Sequence, residues 1–98
     1  MVAPSLSKPI ADFCRRWGVA ELWLFGSSAR NAATPTSDVD ILVKFRAESV
    51  TSTWDWPQMT DELEAIFGRR VDLLSEGILK NRHRAASILA DRVVLYAA

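Results

Sequence analysis

Three aspartates and one glycine-serine step are the residues of this sequence best suited to phosphate chemistry. Asp38 and Asp40 stand two apart in DVDILVKF, where Val39, Ile41, Val43 and Phe45 alternate with Asp38, Asp40, Leu42 and Lys44. A period of two marks a strand and turns both carboxylates to one face, with Cα atoms about 6.5 to 7 Å apart. Two ionised carboxylates so close repel one another, and a bound cation is the usual compensation. Asp72, in RRVDLLS, adds a third acid, because alternation there sets Val71 and Leu73 against Asp72 and Leu74. Placed side by side, the two strands present three hard oxygen ligands on one face. That set suits Mg²⁺ and the two-metal scheme, in which paired ions activate an attacking oxygen and clamp a triphosphate.

Gly26-Ser27 supplies the complementary half. It ends the apolar run ELWLF, where glycine permits close backbone approach, and the Ser27 hydroxyl and the N–H groups after it can hold phosphate oxygens. A short helix beginning near Ser28 would add its positive end. Arg30 is equally suited to a phosphate contact and to an ion pair. The sequence has neither a G-x-x-x-x-G-K-[ST] loop nor a G-x-G-x-x-G turn, so phosphate binding must be built without them. Plainer roles compete: Asp38 as a turn residue after Pro35-Thr36-Ser37, Asp40 paired with Arg30, and Asp72 paired with Arg69 or Arg70.

The elements that must position these residues follow from periodicity. Leu6, Ile10, Phe13, Cys14 and Trp17 recur at helical spacing, with Ser7 as a cap and Gly18 as a stop. ELWLFGS is apolar on both faces, as a covered central strand would be. A second helix is expected from about Trp56 to Phe67, started by Asp55 or Thr53 with Pro57 in its first turn and stopped by Gly68. RRVDLLS forms the third strand. A last helix over about Arg82 to Ala90 carries Ile88 and Leu89, and RVVLYAA adds a short strand. The order predicts an α+β fold, a small mixed β-sheet with helices packed on one face, as a single domain over residues 1–98.

Composition narrows the classes. Twelve basic residues balance twelve acidic ones, so no global field draws the protein to nucleic acid or an anionic membrane. Cys14 is the only cysteine, which excludes an internal disulfide and a thiolate zinc cluster and fits a reducing, cytoplasmic location. No segment approaches the roughly 18 to 20 apolar residues of a membrane span. The basic cluster of Arg69, Arg70, Lys80, Arg82, His83 and Arg84 reads as a solvated or partner-facing surface, and His83 between two arginines is a poor metal ligand. Cys14, Trp17 and Trp23 read as core. Trp54 and Trp56 are the exposed aromatic candidates for a protein contact.

Gly26-Ser27, ten residues, then Asp38-Val39-Asp40 resembles the GS-x10-DxD motif of the DNA polymerase beta-like nucleotidyltransferases, with Asp72 where a third carboxylate is expected. GSSAR and RRVDLLS are similar to the minimal members called MNT domains, and the resemblance covers essentially the whole chain. Asn31 departs from the glycine often found there, though asparagine tolerates the left-handed region well. Such domains are commonly paired with a HEPN-domain toxin and act as its antitoxin. The resemblance implies transfer of AMP from ATP to a tyrosine hydroxyl of that partner. It further implies that Gly26 and Ser27 hold the triphosphate with Arg30 near it, that Asp38 and Asp40 bind Mg²⁺, and that Asp72 completes the metal shell and helps deprotonate the acceptor. Larger transferases bind their acceptor with an additional domain, so here another molecule is expected to bring it. Two alternatives stand beside this: a binding-only antitoxin acting by occlusion, which would not need three converging carboxylates, and the same transfer aimed at a small-molecule hydroxyl, which the motif does not separate from transfer to a protein.

Overall fold

A computed structural model describes residues 6–26, 38–49 and 53–97. Helix α1, Ser7–Trp17, buries Ile10, Phe13 and Cys14 along one stripe and carries Arg15 and Arg16 in its last turn, where positive charge complements the helix dipole. Leu6, not Ser7, occupies the cap position and makes no side-chain capping bond. Gly18 ends it in the left-handed region, φ 68°, its N–H donating to the Cys14 carbonyl. Strand β1, Val19–Phe25, follows at once, two residues earlier than the apolar run predicts. Strand β2, Val39–Phe45, matches its predicted alternation.

A 3₁₀ turn over Thr53–Asp55 leads into α2, Trp56–Phe67, which buries Met59 and Leu63. Asp55 sits at the cap position, where its side chain makes no capping hydrogen bond, and Gly68 closes the helix at φ 68°. Strand β3, Val71–Ser75, a 3₁₀ turn over Glu76–Lys80, helix α3, Arg82–Asp91, and strand β4, Val93–Ala97, complete the described chain. Asn81 caps α3, its side-chain oxygen accepting from the His83 and Arg84 N–H groups at 3.1 Å each.

The four strands form one mixed sheet in the order β3-β2-β1-β4. β1 pairs antiparallel with β2 and β4, while β2 and β3 run parallel, joined by the crossover through α2. The α+β class read from the sequence is the fold observed. One detail differs: the helices do not all lie on one face. α1 and α2 cover the first, around Val19, Leu22, Leu24, Ile41, Val43 and Leu73. α3 covers the second, where Ile88 packs with Trp23, Phe25 and Leu42. Those side chains are the alternate positions of the central strands, and each is worth about 1.5 to 3 kcal/mol when withdrawn from water. A sheet apolar on both faces needs cover on both. Among the described residues no helix is long and apolar enough to cross a membrane.

Candidate active site

The parallel register pairs Val39 with Val71, Asp40 with Asp72 and Ile41 with Leu73. Residues paired across neighbouring strands share a sheet face, so Asp40 and Asp72 project from the same side, on strands about 4.8 Å apart. The valines that flank them, Val39 and Val71, are both buried in the first face's core and hold the opposite side of each strand down. This hydrophobic anchoring fixes the direction of the acids, because a slip of one residue would exchange aspartate for valine. Asp38 lies one residue ahead of β2 and is exposed, Asp40 is half-buried and Asp72 is exposed. The burial therefore grades from solvent inward along one stripe: Asp38, Asp40, then fully buried Leu42.

Gly26 completes the described part of the site. β1 pairs Phe25 with Asp40, which brings the next residue, Gly26, to the carboxylate. Gly26 has φ 71°, a conformation that disfavours any side chain. A Cβ there would run into the Asp40 carboxylate, with Asp40 Cγ only 3.3 Å and Cβ 3.5 Å away. The glycine is thus required twice, by its backbone angle and by the acid it abuts. Ser27, Arg30, Asn31 and the short helix expected near Ser28 lie outside the described residues.

The donor set of Asp38, Asp40 and Asp72 is all carboxylate oxygen, the chemistry that hard divalent cations such as Mg²⁺ take. Among the described residues no three His, Cys, Asp or Glu side chains already converge as a cation site. The acids are presented on one face, with Asp40 opposite Asp72, and their fit to Mg²⁺ rests on oxygen chemistry and shared orientation.

Other expectations divide. Trp23 is buried, its indole N–H donating to Glu21 at 3.0 Å and its ring covered by the Arg92 guanidinium at 4.4 Å. Trp17 is half-buried and donates to Glu62 at 3.0 Å. Trp54 is 92% exposed, as expected of a contact residue. Trp56 is not: as the first residue of α2 it packs on the core beside Phe45, ring centroids 6.3 Å apart. Arg82, His83 and Arg84 are exposed in the first turn of α3, while Leu89, expected to pack, is 46% exposed. Sequence reasoning passed over Glu64, whose carboxylate accepts the Val71 N–H at 3.0 Å immediately before Asp72. An acidic residue on an apolar helix stripe, seven residues before a strand, was the available signal.

A mixed sheet that sets two acid-bearing parallel strands beside a glycine-terminated neighbour defines a small α+β domain with carboxylates at one end of its sheet. The chain belongs to the nucleotidyltransferase domain family, whose profile matches residues 6–95. It is 44% identical over 66 residues to the protein adenylyltransferase MntA of Thermococcus cleftensis, a match covering 67% of this chain and 65% of that relative's length. A solved structure proposed to be a minimal nucleotidyltransferase superposes with a TM-score of 0.72 at 31% identity, covering 91% of this chain and 88% of the other. The fold also matches, at a TM-score of 0.63 and 18% identity over 96% of this chain and 71% of the other, a chain from the complex of tri-AMPylated HEPN toxin of Shewanella oneidensis with MNT antitoxin.

Proposed function

We propose that this protein transfers AMP from ATP to a hydroxyl, a tyrosine in the first instance, of a partner HEPN-domain toxin, and that it neutralises the toxin by doing so. The observation that carries the reading is the in-register pairing of Asp40 with Asp72 on parallel strands, with Gly26 packed against Asp40. The adenylyltransferase relative and the modified toxin in the similar complex supply the acceptor class.

In this reading Asp38, Asp40 and Asp72 hold Mg²⁺, which when bound neutralises triphosphate charge and polarises the phosphate under attack. Gly26 and Ser27 seat the triphosphate, since a strand end without a Cβ lets phosphate oxygens approach backbone N–H groups. Asp72, at the sheet's edge, is exposed and so reachable by an incoming acceptor side chain. It accepts the acceptor's proton as the oxygen bonds to the α-phosphorus. The bond from that phosphorus to the bridging oxygen breaks, and pyrophosphate leaves. Asp38 and Asp40 act by position.

The test is the intact mass of the HEPN toxin after incubation with this protein, ATP and Mg²⁺, beside a variant carrying Asp38→Ala and Asp40→Ala. One or more AMP additions are expected with the unaltered protein, and at least 100-fold slower addition with the variant or with EDTA. Toxin that is neutralised equally well by the variant, without gaining mass, would replace catalysis by occlusion.

A further inference from the structure

A single peptide group joins the two acid-bearing strands to helix α2. The C=O of Arg70 accepts the Val39 N–H at 2.8 Å. The N–H on the other side of that same peptide unit, at Val71, donates to Glu64 Oε2 at 3.0 Å. Because a trans peptide points its C=O and N–H in opposite directions, the bond to β2 leaves this N–H facing the sheet's open edge. Among the described residues no further strand stands there, and Glu64 takes the place of one.

The position of this peptide unit matters. Val39 lies between Asp38 and Asp40, and Val71 directly precedes Asp72. The unit is thus the first rung connecting the strand that carries two of the acids to the strand that carries the third. Glu64 also fixes the approach to it: its own C=O accepts the Gly68 N–H at 2.8 Å, ending α2 in the left-handed turn from which β3 starts. The link from Gly68 to Val71 is therefore held at both ends by one residue of α2. A carboxylate accepting from one end of a peptide polarises it and strengthens what its C=O accepts at the other end. The half-buried setting of Glu64 shields the bond from the competition with water that weakens surface contacts.

We infer that Glu64 is a positioning residue for the metal site: by clamping the Arg70–Val71 peptide it sets the register and separation of Asp72 relative to Asp38 and Asp40. The inference rests on the nucleotidyl-transfer reading for its effect on activity, and on geometry alone for its effect on the strand. Glu64 touches neither substrate nor metal in this account. Its role passes through Asp72, an exposed acid on a strand that among the described strands has β2 alone for a neighbour.

The experiment compares Glu64→Ala and Glu64→Gln with the unaltered protein in three readouts. These are hydrogen exchange at the Val71 and Asp72 amides, the Mg²⁺ concentration giving half-maximal AMP transfer, and paramagnetic broadening by Mn²⁺ of the β2 and β3 amide resonances. With Glu64→Ala, exchange at Val71 is expected to quicken at least tenfold, and half-maximal Mg²⁺ to rise about 10- to 100-fold, the range typical of lost outer contacts to metal ligands. Glu64→Gln keeps an acceptor oxygen and should recover most of both, which loss of charge alone would not permit. If Glu64→Ala does not fold, Glu64→Asp, whose carboxylate is withdrawn by one methylene, is expected to show the same shifts. Unchanged exchange and unchanged Mg²⁺ dependence in folded Glu64→Ala overturn the inference. Absence of AMP transfer by the unaltered protein instead overturns the functional reading, while exchange and Mn²⁺ broadening still decide the clamp.

Discussion

Replacing Gly26 by alanine separates the two reasons for a glycine at the end of β1. The backbone reason is φ 71°, where a residue with a Cβ costs about 1 to 2 kcal/mol. The second reason is the Asp40 carboxylate, which occupies the space a Cβ would take. The carboxylate must then turn from its rotamer, at about 0.5 to 1.5 kcal/mol for a deviation near 30°. Gly26→Ala should therefore lose about 1.5 to 3.5 kcal/mol in all. Gly68 provides the internal control. It has nearly the same angle, φ 68°, but nothing lies within 4 Å of the Cβ it lacks. Gly68→Ala should lose only the backbone part, about 1 to 2 kcal/mol.

Urea unfolding of both variants measures the difference, and melting shows it as well, since each kcal/mol moves the midpoint of a domain this size by about 4 to 8 °C. The larger contrast is functional. A displaced Asp40 carries the site with it, and a misplacement of about 1 Å at a reacting centre can cost about 100-fold. Gly26→Ala is expected to slow AMP transfer by that order with the fold retained, while Gly68→Ala keeps nearly full activity. Equal stability losses and equal activities in the two variants would refute the claim that Gly26 exists to make room for Asp40.

Two further outcomes are expected. Burial of Cys14 pushes its thiol up to about 12 from its ordinary 9.0, so the unfolded chain releases this proton first as pH rises. Stability is then fully present below pH 9 and falls between about pH 9 and 12; Cys14→Ala should flatten that part of a urea-midpoint profile, and an unchanged slope would assign the loss to other groups. Trp54, being solvent-exposed, should tolerate Trp54→Ala within about 0.5 kcal/mol of stability, yet weaken toxin binding about tenfold in calorimetric titration if it anchors the partner; equal affinity would remove it from the interface.

How far the sequence can be read depends on which residues have competing uses. β2 was legible because four apolar residues on one side and two aspartates on the other leave a single workable alternation. The pairing of Asp40 with Asp72 was legible only conditionally, since strand adjacency is a tertiary fact that no local pattern encodes. The start of β1 was misjudged because Val19 and Ala20 fit the end of a loop as readily as a strand, and the left-handed Gly18 turn removes any need for one. The side chosen by α3 was not legible. Its apolar content is small, only Ile88 is buried, and a helix with one anchor can be placed from sequence on either face. Glu64 escaped because its partner is a backbone N–H, which every residue but proline offers.

The placement of α3 nonetheless explains why the acids sit where they do. Along β2 the second face reads Asp38 exposed, Asp40 half-buried, Leu42 buried and Lys44 half-buried. Leu42 is the one apolar residue of that stripe, and Ile88 of α3 covers it together with Trp23 and Phe25. Covering the stripe one residue pair earlier would bury Asp40 and take its carboxylate out of water, which is costly for a charged group. Covering it one pair later would bury Lys44, which instead reaches Glu21 at 3.6 Å and the Trp23 ring at 5.3 Å from the solvent side. The apolar step in the stripe is a single residue, so the helix has one place to rest. That place stops short of the strand ends, where Asp38 and Asp72 are exposed and Asp40 is half-buried, so the exposure of the acids follows from core packing on the same face.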